Sequence, residues 1–73
     1  IEVMKEVRGM LKAIEKFSAK GLITYTFCLW IDDNSVHIEA SDIHGDVISL
    51  KQVNSIRDVK VFMKQYRGVY DWV

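Results

Sequence analysis

Residues 22–31 read LITYTFCLWI, and their side chains form two alternating rows. One row is entirely apolar or aromatic: Ile23, Tyr25, Phe27, Leu29 and Ile31. The other row is mixed: Thr24, Thr26, Cys28 and Trp30. Successive side chains of a strand point to opposite faces, so this period of two predicts a β-strand. Its β-branched and aromatic residues favour the same structure.

Two further strands are expected after this one. A polar turn at residues 32–35 is followed by alternation of Val36, Ile38 and Ala40 with His37, Glu39 and Ser41. A second turn at residues 42–46 contains Gly45, which is free to adopt positive φ. A short third strand then runs from Asp46 or Val47 to Leu50, and residues 51–54 fit either a connection or an early helical turn. The short connections predict an antiparallel meander.

Segments with helical spacing flank the strands. The first has apolar residues at Val3, Val7, Met10, Leu11, Ile14 and Phe17, and the second at Ile56, Val59, Phe62, Met63 and Tyr66. Gly21 is the expected end of the first helix, and Ser55 with Asp58 resembles a capping box at the start of the second. Gly9, inside the first helix, costs about 1 kcal/mol relative to alanine. We interpret it as tolerated, with close approach of another backbone as the alternative.

These patterns predict one α+β domain over residues 1–73. Each helix has one apolar stripe and the sheet has one strongly apolar face, so the economical packing places both helices on that face in two layers. The order is helix–strand–strand–strand–helix, with a three-stranded antiparallel meander. The opposite side of the sheet, its outer face, would present Thr24, Thr26, Cys28 and Trp30 beside His37, Glu39 and Ser41.

Size and composition limit how the fold can be stabilised. Of the 73 residues, 49% are hydrophobic, which argues against disorder. A domain this small has a thin stability margin and gains from disulfides, metals or association. Cys28 is the only cysteine, so an internal disulfide is excluded, and a single buried thiol fits a reducing compartment. With neither a membrane-spanning apolar run nor a secretory signal pattern, we expect a cytoplasmic protein without membrane contact.

Charge is unevenly distributed although the formal net charge is +0. Residues 22–50 carry five acidic side chains and no Lys or Arg, whereas both helical segments are net basic. Four cations of the second helix form one ridge at steps of three, four and three: Arg57, Lys60, Lys64 and Arg67. This ridge, with Lys5, Lys12 and Lys16 in support, could contact the phosphates of a nucleic acid. The plainer interpretation, a solvated helix face, is favoured.

The order of the elements resembles that of double-stranded RNA-binding domains. That resemblance implies RNA contact through a lysine cluster at the start of the last helix. Residues 54–60 here read NSIRDVK, which lacks such a cluster, and Asp32 and Asp33 make the first strand connection acidic. The likeness is therefore one of element order, and fold order alone does not carry function.

Catalytic and metal-binding patterns are weak. Asp42, His44 and Asp46 alternate within one turn but lack a fourth ligand, and Asp and Gly are ordinary turn formers. Cys28 and His37 are the one thiol–imidazole pair that adjacent strands could form, yet an open sheet face offers no cleft to activate a thiol. We expect Cys28 to be a small packing residue, and we expect no enzymatic activity, no cofactor and no metal.

Aromatic residues give the preferred functional hypothesis. Trp30 is expected on the outer face, and tryptophan is a common interface anchor. We predict a protein interface formed by Thr26, Cys28, Trp30 and His37, with a homodimer or another protein as the partner. The unprotected edge of the third strand offers a second contact. Burial of Trp30 by the C-terminal tail or by a register slip is the alternative.

Overall fold

The computed structural model describes residues 5–18 and 25–66. Along the chain lie α1 (Val7–Ser18), β1 (Thr26–Ile31), β2 (Val36–Ser41), β3 (Val47–Val53) and α2 (Ile56–Lys64). The predicted α+β class, the element order and the meander are confirmed. Val3, Gly21, the first three residues of the predicted first strand and the tail from Arg67 onward lie outside the described residues.

The three strands form an antiparallel sheet in the order β1-β2-β3. The β1–β2 register pairs Trp30 with His37 and Cys28 with Glu39, and the β2–β3 register pairs Glu39 with Leu50. Each connection is a tight hydrogen-bonded turn. Asp32 N–H donates to the Ser35 carbonyl at 2.9 Å, and Gly45 supplies the positive φ, 87°, that the second turn requires. The register therefore places the mixed row of β1 on the outer face.

The third strand is longer than the sequence indicated. It continues from Leu50 through Lys51 and Gln52 to Val53, so the connection or helical turn considered for these residues is wrong. Only Val53 of this strand is buried. The pairing of β2 with β3 shifts in register between Ala40 and Ser41, so the start of β3 is offset from the rest of that strand.

One apolar core fills the space between the helices and the inner face of the sheet. It consists of Met10, Ala13, Phe17, Phe27, Val36, Ile38, Ala40, Val53, Val59, Phe62 and Met63. The Phe27 ring lies 5.6 Å from Phe17, 6.3 Å from Phe62 and 5.6 Å from Tyr66. The C-terminal halves of both helices thus converge on β1. Both helices lie on one face, as predicted.

The first turns of the two helices also meet. Ile56 N–H, at the start of α2, donates to Glu6 Oε1 at 3.2 Å, which satisfies one of the orphan donors of a helix N-terminus. A methyl group on Gly9 would come within 3.1 Å of Ile56 Cγ1 and closer still to its Cδ1. The interpretation of Gly9 as merely tolerated is therefore wrong. The close neighbour is a side chain of α2 rather than another backbone.

The inner face is uncovered at one corner, where the edge strand β1 ends. Ile31, which belongs to the apolar row of β1, is 53% exposed there, whereas Val36, its partner on β2, is fully buried. No helix in the described part of the chain combines the length and apolarity needed to cross a membrane.

Candidate protein-binding face of the sheet

The outer face carries all four side chains predicted to form an interface. Thr26, Cys28 and Trp30 project from β1 and are exposed, and His37 of β2 is half-buried beside them. Trp30 is 58% exposed, which is unusual for so large an apolar side chain. The alternation of β1 therefore located this row correctly, and Trp30 is not buried by a register slip.

The indole of Trp30 leans across the sheet onto β2. Its Nε1–H donates to Glu39 Oε1 at 2.6 Å, although the residue directly opposite Trp30 is His37. Ser41 Oγ donates to the other carboxylate oxygen, Glu39 Oε2, at 3.2 Å. Glu39 is half-buried, so these two bonds compensate part of its lost hydration. The first of them also ties the indole to β2, and Trp30 nevertheless remains 58% exposed.

A shallow open depression of about 450 Å³ lies beside this ring. Its lining residues come from all three strands and one turn: Trp30, Asp32, His37, Glu39, Val47 and Leu50. Leu50 and Val47 on β3 are 58% and 55% exposed. The depression thus has an aromatic wall, an aliphatic wall and two carboxylates. Such a surface offers apolar area for a partner together with negative charge.

Several lining residues were not predicted from the sequence. Leu50 and Val47 were assigned to the third strand without a side, because the irregularity at Ala40 and Ser41 hides which face they occupy. Glu39 was placed on the outer face, but its bond to Trp30 depends on the cross-strand register. The β2 alternation was the only available signal for it.

Cys28 does not behave as expected. It is a free, exposed thiol, which corrects both the packing role and the buried position inferred for it. In the register Cys28 lies opposite Glu39, while His37 lies opposite Trp30. The thiol and imidazole are therefore not cross-strand partners.

The turn at residues 42–46 uses its aspartate to hold the backbone. Asp42 Oδ1 accepts the His44 N–H at 2.9 Å and the Asp46 N–H at 3.0 Å. This is ordinary Asx-turn chemistry. Within residues 5–18 and 25–66, no three potential metal-ligating side chains gather into a site.

A basic ridge lies on the opposite side of the molecule. Arg57, Lys60 and Lys64 are exposed on α2, and the fourth predicted member, Arg67, falls outside the described residues. Val61 shares this helix face and is 48% exposed. Together Arg57, Lys60, Val61 and Lys64 form a surface that we call the α2 ridge.

Comparison with protein-family models, curated proteins and solved structures found no match.

Proposed function

We propose that the chain is a non-enzymatic interaction module that self-associates through the outer face around Trp30. The observation that carries the proposal is the 58% exposure of Trp30 above a depression walled by Leu50 and Val47. Burying an aromatic or large aliphatic side chain from water contributes about 1.5–3 kcal/mol. Trp30, Leu50 and Val47 are each more than half exposed, so a partner covering all three would gain part of this contribution from each of them.

The face is a better candidate than the strand edge. β3 is an edge strand of the sheet, but Lys51 is exposed midway along it and an irregularity disturbs its start. A lysine and a bulge are devices that discourage pairing between sheet edges. The edge contact considered from the sequence is therefore the weaker version of the hypothesis.

Orientation of the ring also favours a recognition role. The bonds from Trp30 to Glu39 and from Ser41 to Glu39 hold the indole before any partner arrives. Less side-chain entropy is then lost on binding. A solvent-exposed tryptophan without such support would have many rotamers to lose.

Sedimentation velocity over a concentration series tests the proposal. Wild-type protein should show a rising weight-average mass up to about 1 mM, as expected for a small interface. Trp30→Ala should shift this rise to higher concentration by at least about tenfold. Ile43→Ala is the matched control, because Ile43 is 75% exposed but does not line the depression. A wild-type protein that stays monomeric throughout would overturn the proposal.

A nucleic-acid-binding function is the second candidate. It is favoured by the exposure of Arg57, Lys60 and Lys64 along one side of α2. Each phosphate neutralised by such a cation releases counterions, so binding should weaken steeply with salt. Retention of the protein on mixed-sequence DNA or RNA at about 50 mM salt supports nucleic-acid binding, and no retention at that salt concentration excludes it.

The cytoplasm is the compartment we propose. An exposed single thiol such as Cys28 is kept reduced there, whereas an oxidising compartment would favour intermolecular disulfides.

A further inference from the structure

We propose that the outer face of one copy binds the α2 ridge of a second copy, so that chains join head to tail. This inference rests on the proposed self-association and names the surface that the outer face meets. It follows from the chemistry of the two surfaces, which lie on opposite sides of the same chain.

The outer face supplies negative charge around an apolar centre. Residues 25–50, which form the sheet and its turns, contain no Lys or Arg. The same range contains five carboxylates: Asp32, Asp33, Glu39, Asp42 and Asp46. Glu39 and Asp32 line the depression itself, beside Trp30 and Leu50. Each oxygen of the Glu39 carboxylate accepts one hydrogen bond, Oε1 from Trp30 and Oε2 from Ser41. A carboxylate has about four such positions, so it can still accept bonds from a cation.

The α2 ridge has the complementary arrangement. Arg57, Lys60, Val61 and Lys64 follow spacing i, i+3, i+4, i+7, which puts them on one helix face. Val61, 48% exposed, is therefore an apolar residue set among cations. Val61 is not part of the core formed by the residues that the structure describes. Placed between Trp30 and Leu50 of another copy, it would be covered.

The two surfaces also agree in size. Arg57 and Lys64 are seven residues apart, or about 10 Å along a helix. Asp32 lies in the turn at one end of the outer face. Glu39 is about four residues along β2 from that turn, so the two carboxylates are about 13 Å apart along the strand direction. Lysine and arginine side chains are long enough to absorb that difference. A helix lying along the strands can thus engage both carboxylates at once.

Charge also decides against a face-to-face dimer. A symmetric contact would bring two negatively charged faces together, because Glu39 and Asp32 line the depression and residues 25–50 contain no Lys or Arg to pair with them. Like charges brought together at a desolvating interface are strongly disfavoured. The head-to-tail contact pairs opposite charges instead, and it leaves one free face and one free ridge on every assembly that does not close into a ring.

The interface is small, which sets the expected strength. Six residues of strand and three strands span about 20 by 14 Å, below the size of a typical stable interface. Association should therefore be weak and should strengthen as salt is lowered, because much of it is electrostatic.

Complementation between two variants tests the geometry. A face variant, Trp30→Ala with Leu50→Ser, keeps its ridge, and a ridge variant, Lys60→Glu with Lys64→Glu, keeps its face. Each alone should be monomeric where wild-type protein associates, and their mixture should form a 1:1 heterodimer and nothing larger. Lys12→Glu with Lys16→Glu is the matched control, since it makes the same charge change on exposed positions of α1. It should associate like wild type, and circular dichroism should show all three variants folded.

The outcomes separate this inference from the proposed function. If wild type and the ridge variant both associate while the face variant does not, the contact is symmetric and the head-to-tail arrangement is overturned. If both variants and their mixture stay monomeric where wild type associates, the face and the ridge do not bind each other, and the arrangement is likewise overturned. If the ridge variant associates normally and instead loses retention on nucleic acid, the ridge serves a nucleic acid and the arrangement is again overturned. If wild type is monomeric to about 1 mM at low salt, both the arrangement and the proposed function are wrong.

Discussion

Gly9 is a position where helix propensity and packing act in opposite directions. Replacing an interior helical glycine by alanine normally stabilises by about 1 kcal/mol. Here the added methyl group would press on Ile56, whose Cγ1 would be 3.1 Å away, and overpacking costs about 1–3 kcal/mol. Gly9→Ala should therefore lower the free energy of unfolding by about 1 kcal/mol, as measured in urea.

A double-mutant cycle separates the two effects. Ile56→Val removes Cδ1, the atom nearest to the new methyl group, but keeps Cγ1, so Gly9→Ala should be less destabilising in that background than in wild type. Equal effects of Gly9→Ala in both backgrounds would show that Ile56 is not the cause.

Trp30 and Phe27 allow function and stability to be compared on one strand. Phe27 points into the core and is 7% exposed, whereas Trp30 on the outer face is 58% exposed. Phe27→Ala should cost about 3–5 kcal/mol of unfolding free energy. Trp30→Ala should cost less, about 1–2 kcal/mol, because more than half of Trp30 is already exposed. Urea unfolding at low protein concentration checks this pair, and a cost at Trp30 as large as at Phe27 would assign it a structural role.

At the scale of elements, α2 depends on the side chains at its first turn. Ser55, the N-cap, accepts the Asp58 N–H at 3.2 Å through its hydroxyl, and Asp58 Oδ2 accepts the Asn54 N–H at 2.8 Å. The aspartate also lies at the positive end of the helix dipole. Ser55→Ala should therefore cost about 1 kcal/mol, and Ser55→Asp should remain close to wild type. Thermal or urea unfolding of the three proteins measures the order, and equal stability of all three would exclude a capping role.

The elements also show what the sequence can and cannot predict. The position of β2 and the two faces of β1 could be predicted because helices cover one side, which forces strict alternation of apolar residues. The end of β3 could not, because Ser49 and Lys51 lie on the helix side of the sheet at its edge. There a side chain can remain exposed, as Lys51 does, so the alternation is lost. A charged residue on an edge strand, such as Lys51, is assigned to a loop when only its polarity is considered.

The candidate site was predictable to the same extent. Alternation placed Trp30 on the outer face, since that requires only the period of one strand. The bond from Trp30 to Glu39 requires the register between two strands, which the turn at residues 32–35 sets. The exposure of Leu50 and Val47 requires knowing the offset near Ala40 and Ser41. Neither the β1–β2 register nor the offset between β2 and β3 can be recognised from the composition of the strands.

At the scale of the whole molecule, a single core makes the fold all-or-none. Both helices begin side by side, through Glu6 and Ile56, and both end over Phe27. Within residues 5–18 and 25–66, neither helix has a second layer to support it, and the sheet buries only one face against the helices. Loss of either layer therefore exposes the other, and unfolding should be two-state.

Phe62 tests this dependence because it lies at the centre of the core. It is 1% exposed, with its ring 6.3 Å from Phe27 and 5.5 Å from Tyr66. A domain of this length has roughly 4–11 kcal/mol of stability, and Phe→Ala in a core removes about 3–5 kcal/mol. Phe62→Ala should therefore lose helix and sheet together, with far-UV circular dichroism and the β2 amide signals in NMR spectra falling in one transition. Val61→Ala, next to it but 48% exposed, should stay within about 0.5 kcal/mol of wild type. A Phe62→Ala protein that kept its sheet amides protected after losing helical signal would contradict the dependence of each layer on the other.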